Sequence, residues 1–452
     1  MTTGRDLERV LEAVGDRVDP DRAERTALTE TVGILIERTE DAIQDRDVDA
    51  DVLHVGSTAR GTWVSGDRDI DLFVRFDPDL EREALERYGL DIGREVLPDG
   101  HTEYAEHPYV KGEWDGFAVD LVPCYAVEDA TAIQSAVDRT PFHNAYLEDR
   151  LDESTAAAVR RFKQFLTGIG VYGSDLRTQG YSGYITELLV LEYGGFVPTL
   201  EEIRTWSPPV RLDPEDHGTA TFDDPLVVID PTDPERNVAA VISEANVARL
   251  VHYARAFLDG PDEAFFEPAE PEPMDEAGVE EAVEDRGTTP IAVTFDPPGL
   301  VDDQLYPQLR RSLAGLERGL EKAGFEVLRS ATWAKDRAVL FVDLAVAERP
   351  AIERHEGPPV YAQDHAKRFY DTYAADSKVA GPFIEADRYV VERQRAVTTA
   401  KEFTEERLFD VALGAQIEPA LKEGYTVLSG SEIAALAPEF GPELAAYFDP
   451  RP

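Results

Sequence analysis

Gly56-Ser57 and, after eleven intervening residues, Asp69-Ile70-Asp71 are the side chains of this sequence best suited to chemistry. Asp69 and Asp71 head the apolar run Leu72-Phe73-Val74, which reads as a β-strand. Strand side chains alternate between faces, so both carboxylates project from one side, a few Å apart. Two carboxylates so placed repel each other, and a fold keeps such a pair mainly where a cation sits between them. Hard oxygen ligands at this density suit Mg²⁺, which takes one or two carboxylates together with phosphate oxygens. Gly56 follows the apolar run Val52-Leu53-His54-Val55. Without a Cβ it lets the backbone approach a polyphosphate closely, and Ser57 can donate its N–H and hydroxyl to a phosphate oxygen. Arg60, three residues further on, is spaced to fork onto the same anion. An isolated D-x-D pair in so acidic a chain reads as a solvated hairpin face. The joint pattern, G-S followed after eleven residues by D-h-D-h on a strand, reverses that preference.

A third carboxylate comes later. Phe117–Tyr125 is strongly β-prone, with Phe117, Val119 and Leu121 on one face and Asp120 on the other with Ala118 and Val122. An aspartate in mid-strand among apolar residues is costly unless it is paired or coordinating. Asp120 would complete a two-metal site with Asp69 and Asp71, in which one ion activates an attacking hydroxyl and the other steadies a triphosphate.

The elements that must position these groups are legible around them. Apolar spacing predicts two helices over residues 6–46, broken at Val18-Asp19-Pro20 and expected to pack on the sheet, and another helix over 80–97. Residues 154–167 carry Val159, Phe162, Phe165 and Leu166 as a buried stripe, which leaves Arg160, Arg161 and Lys163 for the remaining surface. Tyr181-Ser182-Gly183-Tyr184 starts the next helix. This basic and aromatic cluster is where nucleotide phosphates and an RNA end are expected. Val227–Asp230 reads as a short strand, Pro234 as a helix start, and 238–258 as a helix. A stretch rich in Pro, Glu and Asp over 259–276 reads as a boundary. Beyond it, strands at 291–295, 327–328 and 338–346 and a helix over 306–322 suggest a small α/β sandwich of the kind many RNA-binding domains use.

Composition limits the function classes. Asp and Glu number 91 against 45 Lys and Arg, so the net charge is 45 − 91 = −46, and only eight of the 45 basic residues are lysines. Such acidity ordinarily repels nucleic acid. Yet the apolar fraction is 42%, that of a folded protein, and the acidic residues are spread through every region. This reads as adaptation to a salt-rich cytoplasm, where the Debye length falls to ~3 Å at about 1 M salt. One cysteine, Cys124, excludes an intramolecular disulfide and a cysteine-based zinc site. The N-terminus lacks a signal-peptide core and no stretch approaches a membrane span, so a soluble cytoplasmic protein is expected. The length, 452 residues, accommodates about three domains.

The G-S and D-I-D-L-F pattern resembles the signature of the polymerase-β-like nucleotidyltransferase superfamily. Further motifs narrow the resemblance to the archaeal-type (class I) CCA-adding enzymes, tRNA nucleotidyltransferases that build the 3′-terminal CCA. They are Y-A-E-H-P-Y-V, V-D-L-V-P-C-Y, S-A-V-D-R-T-P-F-H, G-V-Y-G, G-Y-S-G-Y-I-T-E-L-L, D-P-T-D-P-E-R-N-V-A-A and V-D-D-Q-L-Y-P-Q-L, running in order from residue 55 to beyond 305. The family often carries Glu where this chain has Asp69. The arginine-and-aspartate template motifs of the bacterial and eukaryotic class are not found.

By that resemblance the fold is α+β and multidomain. A nucleotidyltransferase head, a small mixed sheet with flanking helices, would occupy 1–150. A helical nucleotide- and RNA-binding middle domain would take 151–260, and after a 261–276 linker an α/β tRNA-binding region would fill 277–452. Asp69, Asp71 and Asp120 would bind catalytic Mg²⁺. Ser57, Arg60, His143, Lys163 and Tyr172 would hold the incoming triphosphate, and Arg236 would help read the base of CTP or ATP. The partners implied are the acceptor stem and T arm of tRNA, with a homodimer as the assembly. The competing readings are a poly(A) polymerase or oligoadenylate synthase with the same head, and a catalytically silent RNA-binding relative.

Overall fold

In the computed structural model, which describes residues 4–104, 106–269 and 271–452, the apolar runs of the first third form a five-stranded mixed sheet. Ala105, within the Y-A-E-H-P-Y-V motif, lies outside the described residues. Two helices, α1 (Gly4–Val18) and α2 (Arg22–Gln44), precede the sheet, and Asp21 caps α2 in a capping box with Glu24. The strands are β1 (Ala50–Val55), β2 (Asp69–Phe76), β3 (His101–Tyr104), β4 (Pro108–Trp114) and β5 (Phe117–Tyr125), in the order β1-β2-β5-β4-β3. The short helix α3 (Gly56–Arg60) joins β1 to β2, and α4 (Arg82–Val96) joins β2 to β3. Strand β2 runs parallel to β5 and antiparallel to β1. Alternation sorts the faces: Ile70, Leu72, Val74, Phe117, Val119 and Leu121 pack beneath α2 and α4, while the carboxylates stand on the other face.

Helix α1 departs from expectation. Val10, Val14 and Val18 pack not on the sheet but in a second core with Val159, Phe162 and Leu166. That core gathers α5 (Thr140–Glu148), α6 (Glu153–Gly168), α7 (Gly183–Tyr193) and α8 (Phe196–Ile203). A small sheet joins them: β6 (Val210–Leu212), β7 (Leu226–Asp230) and β8 (Asp233–Asn237), with α9 (Glu244–Asp259) behind. Pro234 therefore starts no helix. It lies in a strand, because β7 offers β8 an antiparallel partner across the tight Asp230–Asp233 turn. The Pro- and acid-rich stretch also contributes Phe266, fully buried among Phe165, Phe196 and Phe257.

The same crowding moves two basic residues. Arg160 and Lys163, left for the surface by a single-stripe reading of α6, are 1% and 4% exposed. Helix α6 is covered by α1 on one side and α7 on another, so its polar positions are enclosed too. Arg160 is satisfied by Asp19, by Glu153 and by the Gly61 carbonyl.

The chain divides into two compact units, Met1–Ala269 with Pro452, and Glu270–Arg451. The second is built on a four-stranded antiparallel sheet of β9 (Thr289–Phe295), β10 (Glu326–Ala334), β11 (Ala338–Val346) and β15 (Thr426–Ser429), ordered β10-β11-β9-β15. Alternating residues of β9 and β11 face opposite cores. Ile291, Val293, Leu340 and Val342 pack on α11 (Asp302–Ala323), while Ala292, Val339 and Phe341 pack on α10 (Glu276–Arg286) and α13 (Ala437–Phe448). A three-stranded sheet, β12 (Ile352–Pro359), β14 (Arg388–Gln394) and β13 (Ala380–Glu385), stands with α12 (Gln363–Tyr373) as a separate lobe of this unit. Among the described residues no helix is long and apolar enough to cross a membrane.

With a net charge of −46, mutual repulsion opposes both cores. The urea midpoint of unfolding is expected to climb steadily as KCl rises from about 0.1 M to about 3 M. A flat or falling midpoint would mean that carboxylate repulsion does not limit stability.

Candidate active site

The parallel pairing of β2 and β5 places Asp71 directly opposite Asp120, with Asp69 two residues along the same face. The three carboxylates expected from the sequence thus share one patch of sheet. Strand β4 adds a group that sequence reasoning missed: Lys111 stands opposite Asp120, its Nζ 2.9 Å from Oδ1 and 3.2 Å from Oδ2. Gly56 turns the chain at φ +83°, and a Cβ there would lie 2.2 Å from Oδ2 of Asp71. The backbone of α3 therefore leans directly on the carboxylate. Burial, then repulsion from Asp120 and Asp69, pushes the Asp71 carboxyl up to about 6 against the pull of Arg60 and Lys111.

Among the described residues no group of three or more His, Cys, Asp or Glu side chains is drawn together at metal-holding distance, and Asp120 rests on Lys111 instead. The donor set nevertheless fits a hard cation. It is all carboxylate oxygen, two members are in register, and the pull of Arg60 and Lys111 on Asp71 does not offset its burial and the repulsion from Asp120 and Asp69. Gly56→Ala is expected to lower nucleotide incorporation about 10²-fold or more, because the new methyl displaces the Asp71 carboxylate. Left-handed backbone should add a stability cost of about 1–2 kcal/mol. Near-normal turnover of a folded Gly56→Ala protein would remove α3 from the site.

Beside the carboxylates lies a buried basic cluster. Arg60 donates from Nε (3.2 Å) and Nη2 (2.8 Å) to the two oxygens of Glu187 and from Nη1 to Asn144 Oδ1 at 2.8 Å. Thr62 also donates to Glu187, which is completely buried. Arg60 is therefore not the free fork that its spacing suggested; all three nitrogens are engaged. Lys163 is enclosed nearby. Burial lowers its ammonium, while Glu187 and Asp67 support it. Tyr172 meets it at the start of α7, where a Cβ on Gly183 would lie 3.3 Å from the tyrosine hydroxyl and 3.7 Å from Nζ of Lys163. Burial, reinforced by Glu187, keeps that phenol protonated. Ser57 sits half-buried in α3, between Gly56, which abuts Asp71, and Arg60 of this cluster in sequence.

His143 and Arg236 form a third group, joined by Asp230. Nε2 of His143 is 2.8 Å and Nη1 of Arg236 2.6 Å from Oδ2 of Asp230, and the His143 ring stacks on Tyr184 at 4.0 Å. Glu187, Asn144, Asp230 and Lys111 were all missed as functional residues, although a signal existed. Glu187 and Asp230 each end or interrupt an apolar run, where an acid must find a partner.

Known proteins resemble the chain along its whole length. Family models match in series: a nucleotidyltransferase domain over 36–143, the second domain of tRNA nucleotidyltransferase over 157–267, and the C-terminal domain of the CCA-adding enzyme over 286–430. The CCA-adding enzyme of Haloarcula marismortui is 59% identical, over 99% of both chains. That of Halobacterium salinarum is 60% identical, again over 99% of both. The chain belongs to the CCA-adding enzyme family. It is a tRNA nucleotidyltransferase, and both of these relatives come from halophilic archaea. Among solved structures, a cytoplasmic RNA terminal U-transferase aligns with a TM-score of 0.45 at 14% identity, over 59% of this chain and 99% of that one. The CCA-adding relatives, not that distant likeness, identify the family.

Proposed function

We propose that this CCA-adding enzyme completes and repairs tRNA 3′ ends from CTP and ATP without a nucleic-acid template. The tRNA 3′-hydroxyl attacks the α-phosphorus in line and pyrophosphate leaves. The observation that carries this reading is the register of Asp71 with Asp120 against the Gly56 turn. Asp69, Asp71 and Asp120 would hold Mg²⁺, which when bound supplies activation of the hydroxyl and charge neutralisation on the leaving group.

The chain's own residues do the remainder. Ser57 donates to a phosphate oxygen. Lys163 and Tyr172 present an ammonium and a protonated phenol from the wall formed by α6 and α7, and His143 approaches from α5. Arg60 contributes positive potential from its place on Glu187 rather than as a mobile fork. The two acids Glu187 and Asp67 support the positive charges of Arg60 and Lys163 beside the carboxylates, where a polyphosphate would lie. Arg236 faces the base.

The division of labour proposed is a catalytic head over 1–150, a middle domain over 151–260 and a tRNA-binding region over 277–452, with Phe266 of the intervening stretch packed into the middle core; family matches over 36–143, 157–267 and 286–430 support three successive parts. That last region would grip the acceptor stem and T arm by shape and backbone contacts, since one enzyme must accept every tRNA. The enzyme would act in the cytoplasm as a homodimer.

Labelled CTP and ATP supplied with Mg²⁺ in high KCl to tRNA ending at the discriminator base test this reading. Two C residues and one A are expected. Long A tails would make the chain a poly(A) polymerase, and no incorporation at any salt would leave it a silent RNA-binding relative.

A further inference from the structure

Asp230 is the last residue of β7, a strand buried along its whole length, and none of its surface reaches solvent. Both carboxylate oxygens are nonetheless fully occupied. Oδ2 faces Nε2 of His143 at 2.8 Å and accepts from Nη1 of Arg236 at 2.6 Å. Oδ1 accepts from the Thr232 backbone N–H at 2.9 Å, from the Thr232 hydroxyl at 2.8 Å and from the Tyr184 hydroxyl at 3.4 Å. Burial alone would raise this carboxyl. The bonds from His143, Thr232 and Arg236 instead hold it well below the usual carboxylate range. A carboxylate so occupied has no oxygen left for a substrate.

What it does instead follows from its partners. They come from three separate elements, α5, α7 and β8, which sequence places far apart. The side chain of Arg236 is 37% exposed, against 14% for that of His143. A long arginine at that exposure would sample many rotamers, and one charge-assisted bond to a buried, immobile acceptor fixes its direction. The bond uses Nη1, so the rest of the guanidinium edge remains for another partner. His143 is fixed by the same oxygen and by its stack on Tyr184 at 4.0 Å and 16°.

We propose that Asp230 is a specificity-positioning residue, locking the guanidinium of Arg236 and the imidazole of His143 into one rigid unit so that base reading and phosphate contact are set together. This rests on the assignment of Arg236 to the base and His143 to the triphosphate. A guanidinium only donates hydrogen bonds, so an arginine held in one direction donates to N3 of cytosine and finds no acceptor at the N3–H of uracil. An arginine released from Asp230 can turn aside, and that discrimination weakens.

The measurement is discrimination between CTP and UTP by the full chain, on tRNA lacking CCA, in high KCl. Asp230→Asn keeps the volume and an acceptor but removes the charge. It is expected to lower discrimination about tenfold, chiefly through KM for CTP, with kcat changed less than about threefold. Arg236→Gln should lose discrimination likewise, and the double variant should be no worse than the poorer single one. Unchanged discrimination in Asp230→Asn, with loss in Arg236→Gln, overturns the positioning role and leaves the base assignment standing. Unchanged discrimination in Arg236→Gln overturns the base assignment, and the positioning role with it. Should circular dichroism show Asp230→Asn unfolded, His143→Gln and Arg236→Gln are compared singly and together. Effects on nucleotide Kd that fall short of additivity are expected, and additivity within about twofold overturns the coupling.

Discussion

Asp71→Asn is expected to stabilise the metal-free enzyme while abolishing nucleotide incorporation. The Asp71 carboxyl titrates at about 6 in the folded protein, above the ordinary range it has in the unfolded chain. A raised value means that the folded state holds the proton more tightly. The stability this provides is fully present below the unfolded value and is lost as pH rises through about 6. At about pH 7 the ionised carboxylate, pressed against Asp120 and Asp69, is a net liability of about 1–3 kcal/mol. An amide of the same shape removes it. The thermal midpoint of Asp71→Asn in chelator should therefore exceed that of the parent at about pH 7, and the difference should shrink toward about pH 5. Incorporation should fall about 10³-fold or more, since the carboxylate opposite Asp120 is gone. The parent's apparent affinity for Mg²⁺ should weaken as pH drops through about 6, because the proton on Asp71 competes with the ion. If Asp71→Asn melted lower than the parent at every pH, the repulsion inferred among these carboxylates would be wrong.

The largest stability loss is expected from Glu187→Ala. Glu187 has no exposed surface and faces both the fork of Arg60 and the hydroxyl of Thr62, with Lys163 enclosed alongside. Removing one partner of a buried ion pair leaves an uncompensated charge, at about 3–5 kcal/mol. Here two cations would be left facing each other, so the upper part of that range applies. Urea unfolding in molar KCl measures it, because high salt suppresses the contribution of the acidic surface. Arg60→Met combined with Glu187→Leu should recover part of the loss, as replacing both members removes the orphaned charge. A loss below about 1 kcal/mol for Glu187→Ala would mean that water or another acid reaches Arg60 freely. The same variant should weaken nucleotide binding, since Arg60 would lose its anchor and Lys163 the stronger of the two acids that support its positive charge.

What the linear order of residues determined by itself was the placement of the candidate carboxylates and most of their scaffold. The Gly56-Ser57 turn, the Asp69-Ile70-Asp71 strand and mid-strand Asp120 were readable because period-two alternation is local: a few consecutive residues decide which side chains share a face. The helices α2, α4, α6 and α11 were readable for the same reason at their own period. The family resemblance rested on short contiguous motifs that survive without knowledge of the fold.

Tertiary structure alone decided which of those residues meet. Nothing local says that Glu187 takes up Arg60, 127 positions away, or that Asp230 gathers His143 from 87 positions away. Helix α1 left the sheet for α6, and Pro234 entered a strand, because a neighbour supplied burial or a ladder that propensity does not contain. Lys163 and Arg160 were assigned to the surface because amphipathic spacing assumes one buried stripe, whereas α6 is enclosed on several sides. Ion pairing depends on three-dimensional distance and on the water excluded around it. Both appear only once separate elements have packed, so the partners of the charged residues could be found only in the folded chain.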